Sequence, residues 1–318
     1  MCVPRVVTTY RSPLLDLSGA VEAEGPDAGV AAHYGDPMIE QRRLEAGAAV
    51  VDLSHHEVVR VSGPDRLSWL HSLLSQHLSD LPAGERTEAL LLDPHGRVEH
   101  HLRLVDDGGS TWASVEPGTA ASLVAFLDSM RFMLRVEVAD VTAEWACVWS
   151  PATGQLLVPR PELPSYVGER GAAGVWAYEA LRIAAHRPRL GLDTDDRTIP
   201  HEVGWIGPAV HLDKGCYRGQ ETVARVHTLG RPPRRLVMLH LDGSVDHLPA
   251  HGDPVEAGDR VVGSVGSAAR HHELGPIGLA VIKRSTPVDA PLLAGGVAAA
   301  QEVVVDPEVG LHVRPRLG

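Results

Sequence analysis

The chain has 318 residues, 44% of them apolar, which is enough for real cores and for two or three domains. Lys and Arg total 29 against 41 for Asp and Glu, and the resulting net charge of −12 disfavours a generic nucleic-acid-binding protein. Three scattered cysteines, Cys2, Cys147 and Cys216, exclude a disulfide framework and point to a reducing compartment. The start lacks the sustained apolar core of a signal peptide and no run approaches membrane-spanning length, so the expected location is cytoplasmic.

Residues 1–32, rich in Gly, Pro, Ala and acids, predict a loose leader. Pro37 opens a helix to about Leu44, and an apolar strand with Asp52 near its end follows over 49–54. Ser62-Gly63-Pro64-Asp65 starts a helix whose Leu67, Leu70, Leu73, Leu74 and Leu78 share one face, with Trp69 at its margin. Asp93-Pro94-His95-Gly96 is a type I turn between the strand 89–92 and the return strand 97–105. In the return strand His100 sides with Val98, Leu102 and Leu104, while Glu99, His101 and Arg103 take the opposite face.

A strand over 112–115, a helix with Leu123, Val124, Leu127 and Met130 inward, and the alternating strand Leu134–Val138 come next. Trp145–Trp149 reads as a strand with Cys147 as packing, and 151–174 is Pro- and Gly-rich. A helix over 178–186 carries Arg182. After Arg235, short apolar runs separated by Gly, Pro and Asp turns predict a small β-barrel or sandwich. The 18 histidines show no His-Glu-x-x-His or paired Cys-x-x-Cys spacing, and no metal site is predicted.

The densest chemistry lies in Leu212-Asp213-Lys214-Gly215-Cys216-Tyr217-Arg218-Gly219-Gln220-Glu221-Thr222, followed by Val223-Ala224-Arg225. A cysteine two residues from both a lysine and an arginine sits in an electropositive setting that favours thiolate, the alternative being a tight loop with an inert buried thiol. Gly215 and Gly219 allow positive φ and close approach to the backbone. Lys214, Arg218, Arg225, Arg231, Arg234 and Arg235 outnumber Asp213 and Glu221 between 213 and 235. That surplus suits an anionic small molecule or forms a solvated basic loop.

Lys214-Gly215-Cys216-Tyr217-x-Gly219-Gln220-Glu221, with Pro200-x-Glu202 before it and Val223-Ala224-Arg225 after it, resembles the signature of the YgfZ family. These are folate-binding proteins related to the glycine-cleavage T-protein (aminomethyltransferase) and implicated in making or repairing iron–sulfur clusters. The resemblance covers about Tyr34 to Pro307. It implies an α+β fold of three lobes around a central cavity: two interleaved ferredoxin-like α+β units, then a small C-terminal β-barrel. The corresponding division is a leader at 1–32, a folate-binding region at 33–235 with a shortened second subdomain, and the barrel at 236–318.

The function so implied is that of a tetrahydrofolate-dependent factor in iron–sulfur cluster assembly, binding tetrahydrofolate or a one-carbon derivative. It would support cluster enzymes such as those that methylthiolate transfer RNA. Its expected partners are assembly proteins or client enzymes, with no membrane, no direct nucleic-acid contact and a monomeric state. Cys216 would supply a thiolate whose pKa Lys214 lowers. Arg218 and Arg225 would offer charge to the folate tail or a partner, while Gln220 and Glu221 hold the loop and Gly215, Tyr217 and Gly219 complete it. Arg182, Glu202, His100 and Asp52 are the expected folate contacts.

T-proteins carry an acid pair where this chain has His100-His101, and a neutral imidazole supplies no fixed negative charge at the folate nitrogen. Aminomethyl transfer is therefore one alternative, disfavoured at this position. A non-catalytic scaffold that binds an assembly partner is the other.

Overall fold

The computed structural model describes residues 10–310, so residues 1–9 of the expected leader lie outside the described residues. The chain runs through β1 (Val21–Glu22), β2 (Ala31–His33), α1 (Pro37–Glu45), β3 (Val50–Asp52), β4 (Glu57–Ser62) and α2 (Arg66–Leu73). It continues with β5 (Arg86–Leu92), β6 (Val98–Asp106), β7 (Ser110–Val115), α3 (Ala120–Met130), β8 (Glu137–Asp140), β9 (Trp145–Ser150) and β10 (Gly154–Pro159). Then come α4 (Leu163–Arg170), β11 (Ala172–Ala173), α5 (Val175–Ala184) and α6 (Gln220–Leu229). The strands β12 (Arg234–Leu241), β13 (Pro254–Ala257), β14 (Arg260–His271), β15 (Gly275–Lys283), β16 (Leu292–Ala294) and β17 (Val297–Val303) complete the α+β fold. No helix of the described residues is long and apolar enough to cross a membrane.

Two compact units emerge. Among the described residues, the first comprises 10–70, 78–87 and 102–178, and the second 71–77, 88–101 and 179–310. The first unit holds a four-stranded sheet of order β10-β9-β3-β11, with β3 antiparallel to β9 and parallel to β11. A second sheet has the order β5-β6-β7-β4-β8, and the tip of its β5–β6 hairpin, residues 88–101, belongs to the second unit. Asp36 caps α1 by accepting from Met38 N and Ile39 N, and Pro37 takes the first helical position, where no N–H is needed.

Several local expectations change here. The stretch 10–32 is ordered rather than loose: Ser12 N donates to Gly29 O at 2.8 Å, and Leu14, Val30 and Ala31 are buried. Trp69 is buried rather than marginal, because its indole Nε1 donates to Met130 O at 3.2 Å. On α3, Leu123 and Leu127 are buried, but Met130 is exposed and Val124 only half-buried. The Pro- and Gly-rich stretch 151–174 forms β10, α4 and β11, with Leu163 and Val167 of α4 packed on Val148 of β9 and Val50 of β3.

In the second unit the barrel closes in the order β12-β15-β14-β13-β16-β17, leaving no free edge. On β12, Val237, Leu239 and Leu241 point inward to Val265, Ala280, Ile282 and Val297. Leu236 and Met238 face the other way and pack with Ala180 and Ile183 of α5. Burial on both faces explains why β12 reads as a continuous apolar run rather than an alternating one.

Candidate functional site

The motif loop is built in the second unit, between a short 3-10 turn (Pro200–Val203) and α6. Gly219, at φ +81°, caps α6, and a Cβ on it would fall 2.5 Å from Asp93 O and 3.0 Å from Gly96 Cα. Gly96, at φ +79°, would in turn meet Thr222 Cβ at 2.7 Å. The two glycines therefore let the motif loop dock onto the β5–β6 turn with backbones nearly touching. Close approach at Gly219 is thus to the chain's own hairpin. Gly215 has no positive φ and open space around it, so the freedom expected there is not used.

Lys214 turns inward. It is 6% exposed, and its ammonium donates to His71 O and Leu74 O at the C-terminal end of α2, where a cation is favoured by the unpaired carbonyls. It also lies 4.8 Å from the centre of the Tyr217 ring. Burial lowers its pKa to about 8. The expectation that Lys214 activates Cys216 is corrected accordingly: its ammonium is bound to two carbonyls and serves to clamp the loop. Tyr217 is buried among Leu90, Leu92, Val98, Val203, Trp205 and Val223, and burial pushes its phenol up to about 12. Gln220 Nε2 reaches Lys214 O at 3.5 Å, across the loop. Between these anchors Cys216 is exposed, whereas Cys147 is buried beside Ser114 and burial raises its thiol pKa.

Two of the local cations are met by acids from elsewhere in the same unit. Arg218 pairs with Glu99 at 2.6 Å, and Arg234 pairs with Asp195 at 2.6 Å and Glu202 at 2.8 Å. Arg225 pairs with Glu221 one helical turn away at 3.0 Å, both side chains remaining in solvent. Glu221 therefore pairs on the surface instead of holding the loop.

Three of the expected folate contacts are engaged internally. Arg182 is 1% exposed; its guanidinium donates to Glu179, to Asp193 Oδ2 at 2.8 Å and to Arg187 O at 3.0 Å. Burial opposes its charge, yet Glu179 and Asp193 raise its pKa above the ordinary value. Asp193 is tied in turn to the barrel by Ser267 Oγ at 2.6 Å. This guanidinium holds the second unit together and is not presented to a ligand. Glu202, also 1% exposed, accepts from Arg234 Nε at 2.9 Å and Nη2 at 2.8 Å and from Ile199 N at 3.2 Å, so its carboxylate is used to pin the 3-10 turn. Asp52, in the first unit, accepts from Ser12 Oγ at 2.5 Å and Ser54 N at 2.9 Å and is buried by the ordered segment 10–32.

His100 is buried as the alternation predicts, and desolvation lowers its pKa to about 4, so it is neutral near pH 7. His101, expected on the outer face, is buried too, because Trp205 lies 4.7 Å away and Glu88 bonds Nε2 at 2.8 Å. Trp205, the Gly96–Gly219 contact and His201 were not singled out by sequence reasoning. His201 is 2% exposed with neither ring nitrogen partnered among the described residues, and its pKa falls to about 4 through burial first and His227 second. Only Gly96, the fourth residue of a type I turn, carried a local signal.

Comparison with known proteins bears on this geometry. Residues 234–312 match the glycine cleavage T-protein C-terminal barrel domain. A mitochondrial iron-sulfur cluster assembly factor IBA57 homolog of Mycosarcoma maydis is 27% identical over 224 residues, covering 58% of this chain and 55% of that protein. A chloroplastic relative from Arabidopsis thaliana is 26% identical over 249 residues, 62% of this chain and 57% of that one, so the chain spans little more than half the length of these two relatives. An aminomethyltransferase of Rubrobacter xylanophilus is 27% identical, with 88% of each chain covered. The crystal structure of the glycine cleavage system aminomethyltransferase T from Bartonella henselae superposes with a TM-score of 0.78 at 16% identity, over 95% of this chain and 98% of that one, which shows the shared fold.

Proposed function

We propose that this YgfZ-type relative of the glycine-cleavage T-protein is a tetrahydrofolate-dependent iron–sulfur cluster assembly factor whose working group is the Cys216 thiol. The observation that carries the reading is the mounting of Cys216. It is exposed on a loop held by the Lys214 clamp on one side and the Gly96–Gly219 contact on the other, so the thiol is presented in a defined place at little entropic cost on contact. Likeness to the assembly-factor homolog gives the reading its process. Likeness to aminomethyltransferases, in sequence and fold, motivates the folate.

In this reading Arg225 and Glu221, which are in solvent and paired with one another, provide polar contacts for an assembly protein or client enzyme. Clients such as transfer-RNA methylthiotransferases and a cytoplasmic setting belong to the same proposal, as does the division into a folate-binding region and a barrel. Tetrahydrofolate, when bound, would supply one-carbon chemistry or act as a regulator. The buried neutral His100 leaves that position without the anionic charge that aminomethyl transfer requires.

The test is Cys216→Ser in cells lacking the wild-type chain, read by the activities of cluster enzymes, alongside calorimetric titration of the purified variant with tetrahydrofolate. The expected outcome is lost cluster-enzyme activity with micromolar folate binding retained, on the order of −8 kcal/mol. Full complementation by the serine variant sinks the thiol role, and absence of folate binding to the wild type sinks the cofactor. If charge reversal at Arg225 abolishes partner binding while Cys216→Ser does not, the chain is a scaffold. Release of methylene-tetrahydrofolate from an aminomethylated carrier protein would instead establish aminomethyl transfer.

A further inference from the structure

The segments 71–77 and 205–214 of the second unit are stitched together. His211 N donates to Ser75 O at 3.0 Å, Ser75 Oγ to Ala209 O at 2.7 Å and Gln76 Nε2 to Pro208 O at 3.1 Å, while Lys214 bonds His71 O and Leu74 O. These two segments bring three imidazoles into contact. The rings of His71 and His77 are 4.7 Å apart at 85°, and those of His77 and His211 are 5.4 Å apart at 52°. His77 and His211 are exposed and His71 is half-buried, so the cluster opens to solvent. Neither the thiol nor the folate reading uses any of the three.

We propose that His71, His77 and His211 form a surface site for a borderline divalent transition-metal ion, with zinc as its representative. Imidazole nitrogen suits zinc, iron, nickel and copper and does not suit magnesium or calcium. Three such ligands leave a fourth tetrahedral position open to water or to a donor from another molecule. The ring of His77 lies about 5 Å from each of the other two, and side-chain rotation is what would turn one nitrogen of each ring, not yet convergent within 4.8 Å, toward a shared ion. The backbones that carry them are already locked, so binding need order little beyond the rings. Because Lys214 ties His71 to the motif loop, an ion held here would sit on the same rigid platform as the Cys216 loop.

The chain carries 18 histidines, so the test must separate this cluster from scattered surface imidazoles. Zinc binding to the full chain is measured by competition with a chromogenic chelator, and cobalt binding by its visible absorption. Wild type is compared with His77→Ala/His211→Ala and with a control, His95→Ala/His247→Ala, whose residues are also exposed. The expected result is loss of one bound zinc equivalent and of the tetrahedral cobalt band in the first variant alone, with unchanged melting in both. Equal zinc binding by all three proteins, equal loss in both variants, or a cobalt spectrum that depends on Cys216 in place of the histidines would each overturn the site.

Discussion

The Arg182 cluster and the motif loop lie in the same unit, and both carry charges suited to an anionic ligand, but they use those charges in opposite ways. Around Arg182, the acids Glu179 and Asp193 come from the same stretch of chain, Arg182 and Asp193 are fully buried with Glu179 half-buried beside them, and Ser267 ties the group to the barrel. In the motif loop Lys214 is drawn inward, while Cys216 and the Arg225–Glu221 pair stay in water. A guanidinium in a binding-type motif is thus available to a ligand only if its own chain leaves it unpaired.

Substitutions break this contrast at graded strengths. Arg182→Ala should be the most damaging, because the buried Asp193 would lose its guanidinium partner, whereas the half-buried Glu179 keeps Arg189 at 2.9 Å; removing one partner of a buried pair costs about 3–5 kcal/mol. Chemical denaturation measures it, and a loss below about 1 kcal/mol would show that the cluster contributes little. The same variant would report stability before any folate contact.

His201→Leu sharpens the contrast in the opposite direction, since a buried imidazole with both nitrogens unpartnered gains nothing from its polarity. Its folded pKa of about 4 lies below the ordinary 6.5, so between those values the unfolded chain binds the extra proton. Wild-type stability therefore falls as pH drops from 6.5 to 4, and the leucine variant should escape up to roughly 3 kcal/mol of that loss. Denaturation midpoints at pH 7 and pH 5 test the difference. Parallel pH profiles for the two proteins would refute it.

Arg225→Ala should be the mildest change, within about 0.5 kcal/mol, because an exposed i,i+4 pair is screened by water and salt. A larger drop in thermal stability would mean that the pair is not the solvent-facing contact described here.

Features made by neighbours in sequence were legible. The Asp93–Gly96 turn forms as its residues predict, with Asp93 Oδ1 accepting from His95 N and Arg97 N at 2.8 Å, and the leucine face of α2 is buried at Leu70, Leu73 and Leu74. The motif itself could be read because its residue types are dense and contiguous. Trp69 and His101 were misplaced because their covering partners, Met130 O and Trp205, come from distant positions. Residues 151–174 show only a Pro- and Gly-rich composition in the sequence although their apolar positions pack on β3 and β9, contacts that local propensity does not encode.

By themselves, then, periodicity and turn residues determined the local strands and helices and a C-terminal small barrel or sandwich, while the contiguous motif, through its resemblance to a known family, implied the α+β class and marked the candidate loop. Tertiary structure alone decided which charges remain available. Lys214 meets carbonyls some 140 positions earlier, Arg218 meets Glu99, and Glu202 meets Arg234. Burial and pairing are properties of the space around a side chain, and that space is filled by residues its sequence neighbours do not specify.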